Sequence, residues 1–325
     1  MSIDISRREL ITLLGGATVA WPLAARAQQP ALPVIGFLNG QTVASFRHLV
    51  AAFQRGLNEV GFVLDRNVAI EYRWADGHTD RLPALANELI RRRVDVIVAT
   101  GGADPSHVAT ERIPIVASFG GDPVRFGHVA SFNRPGGHIT GMTVFSTDLL
   151  AKLMELLHEL VPRGSIGVLL DPTFDWGQRQ AVETAAPAIG RNIRIAEVRT
   201  DADLEEAFAI LAKANVTGVV AAGGPLFTNL RHRLLAWTAR LALPTIYDVR
   251  EFTVAGGLMS YGTNVPDVYR QIGLYTGRVL KGEKPADLPV LQPAKFDMAI
   301  NLKTAKALGL DVPTSILLRA DEVIE

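Results

Sequence analysis

The sequence predicts an α/β fold made of two doubly wound lobes, each a parallel sheet covered on both faces by helices, with hinge strands joining them. The first observation is that short apolar strands alternate with amphipathic helices from Pro33 onward, which is typical of a parallel sheet. The second is that the same alternation begins again after Gly141. The length of 325 residues is sufficient for two domains, each with a sizeable core.

The predicted strands of the first lobe are short, rich in β-branched residues and followed by polar or glycine-bearing loops. They cover residues 34–38, 68–72, 94–99 and 115–118. Apolar residues at helical spacing predict helices over residues 46–60 and 81–93. The first of these helices ends at Gly61, since glycine favours the left-handed backbone of a helix terminus.

The second lobe repeats this arrangement. Its predicted strands cover residues 165–170, 193–198, 218–222 and 245–247, and its predicted helices cover residues 147–160, 178–190, 203–214 and 229–241. A strand at 257–262 and a helix at 267–280 are expected to return to the first lobe, because chains of this class cross between lobes more than once. The predicted boundaries are residues 30–141 plus 259–284 for lobe I, and residues 142–258 plus 285–325 for lobe II.

Residues 1–27 have the three regions of a cleavable export signal. Arg7 and Arg8 precede an uncharged stretch over residues 10–25, and an Ala-x-Ala pattern ends at Ala27. The adjacent arginines are similar to a twin-arginine signal, so we expect cleavage after Ala27 and a mature protein in the periplasm. The uncharged stretch is too short to span a bilayer, so no membrane anchor is expected. The alternative interpretation is a disordered cytoplasmic tail.

The composition argues against several classes of protein. The chain has no cysteine, which excludes a disulfide framework, a lipid-anchored cysteine and a thiol nucleophile. Its 33 basic and 33 acidic residues leave no basic excess for binding nucleic acid. The histidines show no metal-binding spacing, and no nucleophile elbow, phosphate-binding loop or dinucleotide fingerprint occurs. We therefore expect no catalytic residue, no metal and no cofactor.

The candidate ligand-binding residues follow from the topology, because ligands of open parallel sheets bind beyond the carboxyl ends of the strands. Glycines there permit close approach, and free backbone N–H groups can grip a carboxylate. The first lobe contributes Asn39, Gly40, Thr42, Thr100, Gly101, Gly102, Ser118, Phe119 and Asp122. The second lobe contributes Phe174, Trp176, Gly223, Gly224 and Asp248. Ordinary turn chemistry explains any single glycine pair equally well.

Some of these residues have two interpretations. Asp122 is followed by proline, which is more typical of a helix cap than of a ligand contact. Asp248 follows a strand and can either pair with a ligand ammonium or be neutralised by Arg250. Phe174 and Trp176 lie in a polar loop, where they can stack on a planar or apolar ligand or pack between the lobes.

Four longer stretches carry a resemblance to a known family: Asn67–Ala75, Arg134–Gly141, Ala255–Gly262 and Arg319–Glu325. Along nearly the whole chain after the predicted signal, the sequence resembles the ABC-transporter substrate-binding proteins, a family with tryptophan- and tyrosine-binding members. The resemblance implies a type I periplasmic-binding-protein fold with three interlobe connections and a small molecule bound in the cleft. It also implies a permease and an ATPase as partners.

The resemblance further implies how the ligand is held. The loops at Thr100 and Ser118 would bind a carboxylate, and Asp248 would bind an ammonium. The expected function is capture of an amino-acid-like or aromatic carboxylate by closure of the lobes, with hinges near residues 141–142, 256–261 and 284–293. The alternatives are a cytoplasmic ligand-sensing regulator or an α/β metabolic enzyme that uses the same two-lobed core. The regulator would need an N-terminal helix-turn-helix, where this chain has the predicted signal.

Overall fold

A computed structural model of the protein describes residues 32–108, 110, 112–144, 147–172 and 177–325. The export signal predicted over residues 1–27, with its cleavage site, lies outside the described residues. Within the described part of the chain, no helix is both long enough and apolar enough to cross a membrane.

The first sheet is parallel throughout, as predicted. It contains Val34–Asn39 (β1), Ala69–Trp74 (β2), Val96–Thr100 (β3), Ile115–Phe119 (β4) and Ile139–Thr143 (β5). The spatial order is β2-β1-β3-β4-β5. Helices Val43–Glu59 (α1) and Leu82–Arg91 (α2) connect its first three strands.

The second sheet is larger and mixed. It contains Ser165–Leu170 (β6), Ile193–Glu197 (β7), Val216–Ala221 (β8), Thr245–Tyr247 (β9), Met259–Thr263 (β10), Phe296–Asn301 (β11) and Glu322–Ile324 (β12). The order is β12-β11-β10-β9-β8-β6-β7. Strand β11 runs antiparallel to β10, because it enters from the first lobe rather than through a crossover helix. The remaining helices, in chain order, are Thr147–Leu160 (α3), Gln178–Ile189 (α4), Asp203–Lys213 (α5), Gly224–Asn229 (α6), Arg231–Arg240 (α7), Arg250–Val254 (α8), Val265–Leu280 (α9), Leu302–Ala307 (α10) and Thr314–Leu317 (α11).

Both sheets bury both faces, which confirms the predicted doubly wound class. In β1, Phe37 packs in an apolar cluster with residues of α1 and α9, whereas its neighbour Leu38 packs in another cluster with residues of α2. In β6, Val168 packs with α3 and Leu169 with α5. Successive residues of a strand point to opposite faces of the sheet. Because both faces are buried, these strands are apolar along almost their whole length.

Strand β10 lies in the second sheet, so the prediction that a strand over residues 257–262 returns to the first lobe is wrong. It pairs with β9 and β11, and Met259 is buried in the apolar core of the second lobe. The end of β10 also lies close to β9, since a Cβ at Gly262 would be 1.7 Å from the carbonyl oxygen of Asp248. The following helix, α9, does pack on the first lobe, through residues such as Ile272.

Two glycines allow α9 to lie directly against α1. A Cβ added at Gly56 would be 1.8 Å from the carbonyl oxygen of Arg270, and one added at Gly273 would be 2.1 Å from that of Phe53. A side chain at either position would therefore force the helices apart. Helix α1 follows the carboxyl end of β1, so this contact lies in the part of the first lobe that carries the loop after β1.

The C-terminal crossing occurs later than predicted. Thr140 Oγ1 donates to the carbonyl oxygen of Leu288 at 2.7 Å, and the backbone N–H of Leu291 donates to that of Gly141 at 3.0 Å. Residues 285–291 therefore lie against the first lobe, and the boundary placed at residue 285 is too early. These residues bond to β5 and its surroundings before the chain enters β11.

The chain crosses between the lobes after β5, after β10 and before β11, and these connections lie side by side. Thr263 Oγ1 donates to the carbonyl oxygen of Val144 at 2.7 Å. The backbone N–H of Asn264 donates to the carbonyl oxygen of Lys295 at 3.1 Å. The arrangement agrees with the three interlobe connections that the family resemblance implies.

Candidate functional site

A cleft of about 510 Å³ lies between the lobes, lined by loops that follow strands of both sheets. Its volume is within the range of about 300–1,000 Å³ that is usual for small-molecule sites. The predicted residues that line it are Gly101, Gly102, Ser118, Phe119 and Gly224. The structure therefore brings strand-end loops of both lobes to one cavity, as the topology predicts.

The glycines of the first-lobe wall allow left-handed backbone conformations and close contact between two loops. Gly101 and Gly102 have φ values of +61° and +87°, which favour glycine. A Cβ at Gly40 would lie 2.5 Å from the carbonyl oxygen of Gly101, so the loops after β1 and β3 are in close contact. Gly40 thus lies behind the wall, where it permits the loop carrying Gly101 to approach β1.

Asn39 and Thr100 support this loop from behind and do not line the cleft. Both are fully buried, and Asn39 Nδ2 donates to Thr100 Oγ1 at 2.9 Å. Asn39 Oδ1 accepts from the backbone N–H of Gln41 at 2.8 Å. Gln41 Nε2 in turn donates to the carbonyl oxygen of Gly101 at 2.9 Å. The Asn39–Thr100 and Gln41–Gly101 bonds join the two loops, and the Asn39–Gln41 bond shapes the loop after β1.

Two further predicted residues act as caps. Thr42 is the N-cap of α1, and its Oγ1 accepts from the backbone N–H of Ser45 at 3.3 Å. Asp122 Oδ1 accepts from the backbone N–H groups of Val124 and Arg125 at 2.8 and 3.2 Å. Neither Thr42 nor Asp122 lines the cleft, so the favoured capping interpretation of Asp122 agrees with its position.

The second-lobe wall departs more from the prediction. Phe174 and Trp176 lie outside the described residues. Gly223 lies behind Gly224, where a Cβ would be 2.4 Å from the ring of Phe227. Asp171, which precedes the undescribed loop, lines the cleft.

Asp248 is buried, with 2% of its surface exposed, and does not line the cleft. Burial raises the pKa of its carboxyl to about 7, although the backbone N–H groups of Asp248 and Gly224 favour ionisation. Its Oδ2 has no hydrogen-bond partner among the described residues. This position does not support the ammonium contact expected of Asp248, because its side chain is buried and does not line the cavity.

The acidic side chain that the second lobe does present to the cleft is Glu251, which sequence reasoning missed. Its Oε1 lies 3.3 Å from Nε2 of His48 in the first lobe. Burial raises the pKa of Glu251, but the hydrogen bonds from His48 and from its own backbone N–H, together with the charges of His48 and Arg231, hold that pKa below its usual value. The only signal in the sequence was its position three residues after Asp248, in a helix too short to show periodicity.

A second polar contact joins the lobes at Asn229, at the end of α6. Its Oδ1 accepts from Ser45 Oγ at 2.8 Å, and its Nδ2 donates to Gln41 Oε1. Gln41 therefore contacts both Asn229 of the second lobe and the first-lobe loop at Gly101. We call the contacts Asn229–Gln41, Asn229–Ser45 and His48–Glu251 the interlobe latch.

A row of aromatic rings forms another part of the first-lobe wall. Phe119 and His128 stack with centroids 5.9 Å apart, and His128 and Phe126 with centroids 6.4 Å apart. All three residues line the cleft, and His128 Nε2 lies 3.1 Å from Asp104 Oδ2. Only Phe119 was predicted; Phe126 and His128 lie several residues beyond the strand end. In the described residues, no group of three or more acidic or histidine side chains could hold a metal ion.

Known proteins of similar sequence are solute-binding proteins rather than enzymes. A tyrosine-binding protein of Clostridioides difficile (strain R20291) is 24% identical over 268 residues, which cover 79% of this chain and 75% of that protein.

Solved structures agree on the fold. An ABC domain in complex with L-Trp from Streptococcus pneumonia superposes with a TM-score of 0.82 at 24% identity, covering 90% of this chain and 100% of that one. A ligand-free, open substrate-binding protein with adhesive properties from Clostridium difficile gives a TM-score of 0.66 at 21% identity, covering 90% and 99%.

The family profile described as "ABC transporter substrate binding protein" matches residues 33–324. This match covers nearly the whole described chain, both lobes included. The protein therefore belongs to the ABC transporter substrate-binding protein family.

Proposed function

We propose that this protein is the extracytoplasmic solute-binding component of an ABC importer and that it captures a small amino-acid-like or aromatic carboxylate. The observation that carries the proposal is the cleft of about 510 Å³ between strand-end loops of two lobes. Backbone glycines, aromatic rings and a few polar side chains line it, which is the usual composition of a small-molecule site.

The first-lobe loops supply the groups that would bind the ligand's carboxylate. Gly101, Gly102, Gly120 and Gly121 line the cleft, so a ligand can approach the backbone of two adjacent loops without meeting side chains at these positions. The buried polar groups behind the loop at Gly101 hold it in place before binding. A preformed site of this kind loses little conformational entropy when the ligand binds.

Aromatic side chains favour a ligand with a planar group. Phe119 and Phe126 line the same wall as the glycine loops. The relatives named for tyrosine and for L-Trp support the same class of ligand. An aromatic amino acid or a related aromatic acid is therefore the ligand class that we propose.

The mechanism is closure of the two lobes over the ligand. In the latched arrangement Asn229 and Glu251, which line the cleft, contact Ser45 and His48 of the first lobe. A ligand that contacts both walls stabilises this arrangement relative to an open one. The side-by-side crossings near Val144, Asn264 and Lys295 are where rotation of one lobe would concentrate.

The partners follow from the family, whose members deliver solutes to a transporter. We propose that a permease and an ATPase receive the bound solute, and that residues 1–27 direct export to the periplasm with cleavage after Ala27. N-terminal sequencing of the protein from a periplasmic fraction tests this part. Recovery in the cytoplasm with Ser2 retained would contradict it.

The ligand class is tested by thermal-shift screening of purified protein against the L-amino acids, a set of aromatic carboxylates and a set of common monosaccharides, followed by calorimetry of each hit. A compound at about 100 times its dissociation constant adds about 2.7 kcal/mol of stability, which gives a clear shift in melting temperature. We expect hits among the ring-bearing compounds. Stabilisation by sugars alone, or turnover of a bound compound, would contradict the proposal.

A further inference from the structure

Phe126 is unusual among the aromatic residues of the first lobe because its ring is half exposed although it lines the cleft. Its exposed fraction is 48%, whereas Phe119 in the same wall is 3% exposed. Phe126 also lines a smaller cavity between the lobes with Arg179 and Glu183 of α4. An exposed phenyl ring between two lobes has apolar surface that a bound molecule can cover, with a gain from burial and from stacking.

Phe126 is the outer member of the row that continues through His128 to Phe119. The planes of His128 and Phe126 are inclined by 30°, and those of Phe119 and His128 by 23°. One side of Phe126 is thus occupied by His128. A further planar group would extend the row on the cleft side of Phe126.

Asp104 fixes the middle ring of this row. Its Oδ2 lies 3.1 Å from His128 Nε2, and its Oδ1 accepts from the backbone N–H of Ser106 at 2.8 Å. Burial raises the pKa of Asp104, but the hydrogen bonds from His128 and Ser106 outweigh it and lower the pKa to about 2. The carboxylate is therefore ionised throughout the neutral range, which keeps its hydrogen bond to the imidazole.

Hydrogen bonds also fix the backbone of the turn that carries Phe126 and His128. The N–H of Phe126 donates to the carbonyl oxygen of Asp122 at 3.2 Å, and the N–H of His128 donates to that of Pro123 at 2.9 Å. The Asp122 side chain caps the same turn. Asp122 thus contributes to the site by shaping the turn that presents Phe126.

We infer that Phe126 is a specificity-determining residue on which the planar group of the ligand stacks, and that Asp104 and His128 are positioning residues that set its orientation. The inference rests on the proposed function, since it requires a ligand in the cleft. It goes further by assigning discrimination between planar and non-planar solutes to one side chain of the first lobe.

The test uses full-length protein and whichever of L-tryptophan, L-tyrosine, L-phenylalanine and 4-hydroxybenzoate binds the wild type most tightly in calorimetry. Phe126→Leu keeps an apolar side chain but removes the ring, and is expected to weaken binding by roughly 2- to 12-fold. Phe126→Tyr keeps the ring and should bind like the wild type. Val124→Ala is the matched control, because Val124 is exposed in the same turn but does not line the cleft.

The positioning role is tested by a double-mutant cycle with the same compound. Asp104→Ala should weaken binding in the wild-type background and have no further effect in the Phe126→Leu background, because it acts through that ring. Asp104→Asn, which can still accept from His128, should restore affinity. Additive effects of Asp104→Ala and Phe126→Leu would overturn the positioning role.

Two outcomes separate this inference from the function on which it rests. Unchanged affinity of Phe126→Leu for a ring-bearing compound that the wild type binds would overturn the inference and leave the proposed function standing. Failure of the wild type to bind any of the four compounds would overturn the ligand class and the inference together. Melting temperatures of all variants without ligand establish that each is folded.

Discussion

The two walls of the cleft are built differently. The first-lobe wall consists of strand-end loops held from behind by buried polar side chains, with Asn39, Gln41 and Thr100 bonded to one another and to Gly101. The second-lobe wall presents side chains of short helices, among them Asn229 and Glu251, which bond across the gap to the first lobe. The first-lobe wall is thus held by bonds within its own lobe, whereas the second-lobe wall is joined to the first lobe by side chains that cross the gap.

The largest expected effect concerns the rigidity of the first lobe. Gly273→Ala places a methyl group about 2.1 Å from the carbonyl oxygen of Phe53, so α9 must move away from α1. We expect a loss of at least roughly 3 kcal/mol in the free energy of unfolding, measured by urea denaturation. Gly137→Ala is the control, because a Cβ there meets no atom within 4 Å. Equal stability of the two variants would show that the contact does not fix the wall.

The second effect concerns the buried acid of the second lobe. The pKa of Asp248 is raised from 3.8 to about 7, so the folded state binds its proton more tightly than the unfolded state. Stability from this group is therefore fully present below pH 3.8 and is lost as pH rises to about 7. The free energy of unfolding falls by at most about 1.4 kcal/mol for each unit by which the pH rises in this range.

Asp248→Asn removes this ionisation while keeping the size of the side chain. Denaturation of both proteins at a series of pH values between 4 and 7 should show the wild type losing stability relative to the variant. Unchanged ligand affinity at a pH where both proteins are folded would agree with a position behind the cleft wall. Parallel stability profiles, with a large loss of affinity in the variant, would return Asp248 to the ligand site.

The smallest effect concerns the interlobe latch. Asn229→Ala removes hydrogen bonds to Ser45 and Gln41, and each such bond contributes about 0.5–1.5 kcal/mol. We expect the closed population without ligand to fall by roughly tenfold relative to the open one, seen as a larger radius of gyration in small-angle X-ray scattering. Asn58→Ala, at an exposed position of α1, is the control. An unchanged radius would contradict the assignment of closure to the second-lobe side chains.

Much of the first-lobe wall was predictable because its features are local. A strand that ends in a glycine-bearing loop can be recognised from periodicity and turn residues, and Gly101, Gly102, Ser118 and Phe119 all line the cleft. The capping role of Asp122 also follows from its neighbours in sequence. Phe126 was not predictable in this way, because it lies in an irregular turn and reaches the cleft only through the folding of that turn.

The second lobe was less predictable because its outcome depends on contacts between distant segments. Asp248 and Glu251 are both acidic and three residues apart, yet Asp248 is buried and Glu251 lines the cleft. The direction in which the chain turns after β9 decides between them. The placement of β10 in the second sheet depends likewise on its pairing with β9 and β11.

The sequence by itself determined the α/β class, the doubling of the lobe and the end of the sheets whose loops line the cleft, since hydrophobic periodicity and glycine-bearing loops are properties of short segments. The tertiary structure decided which side chains reach the cavity, which residues join the lobes and where the chain crosses between them. Those features arise from the burial and pairing of groups far apart along the chain, such as Ser45 with Asn229 and Gly56 with Arg270. A pattern within one short segment does not specify which distant residue each of these groups will contact.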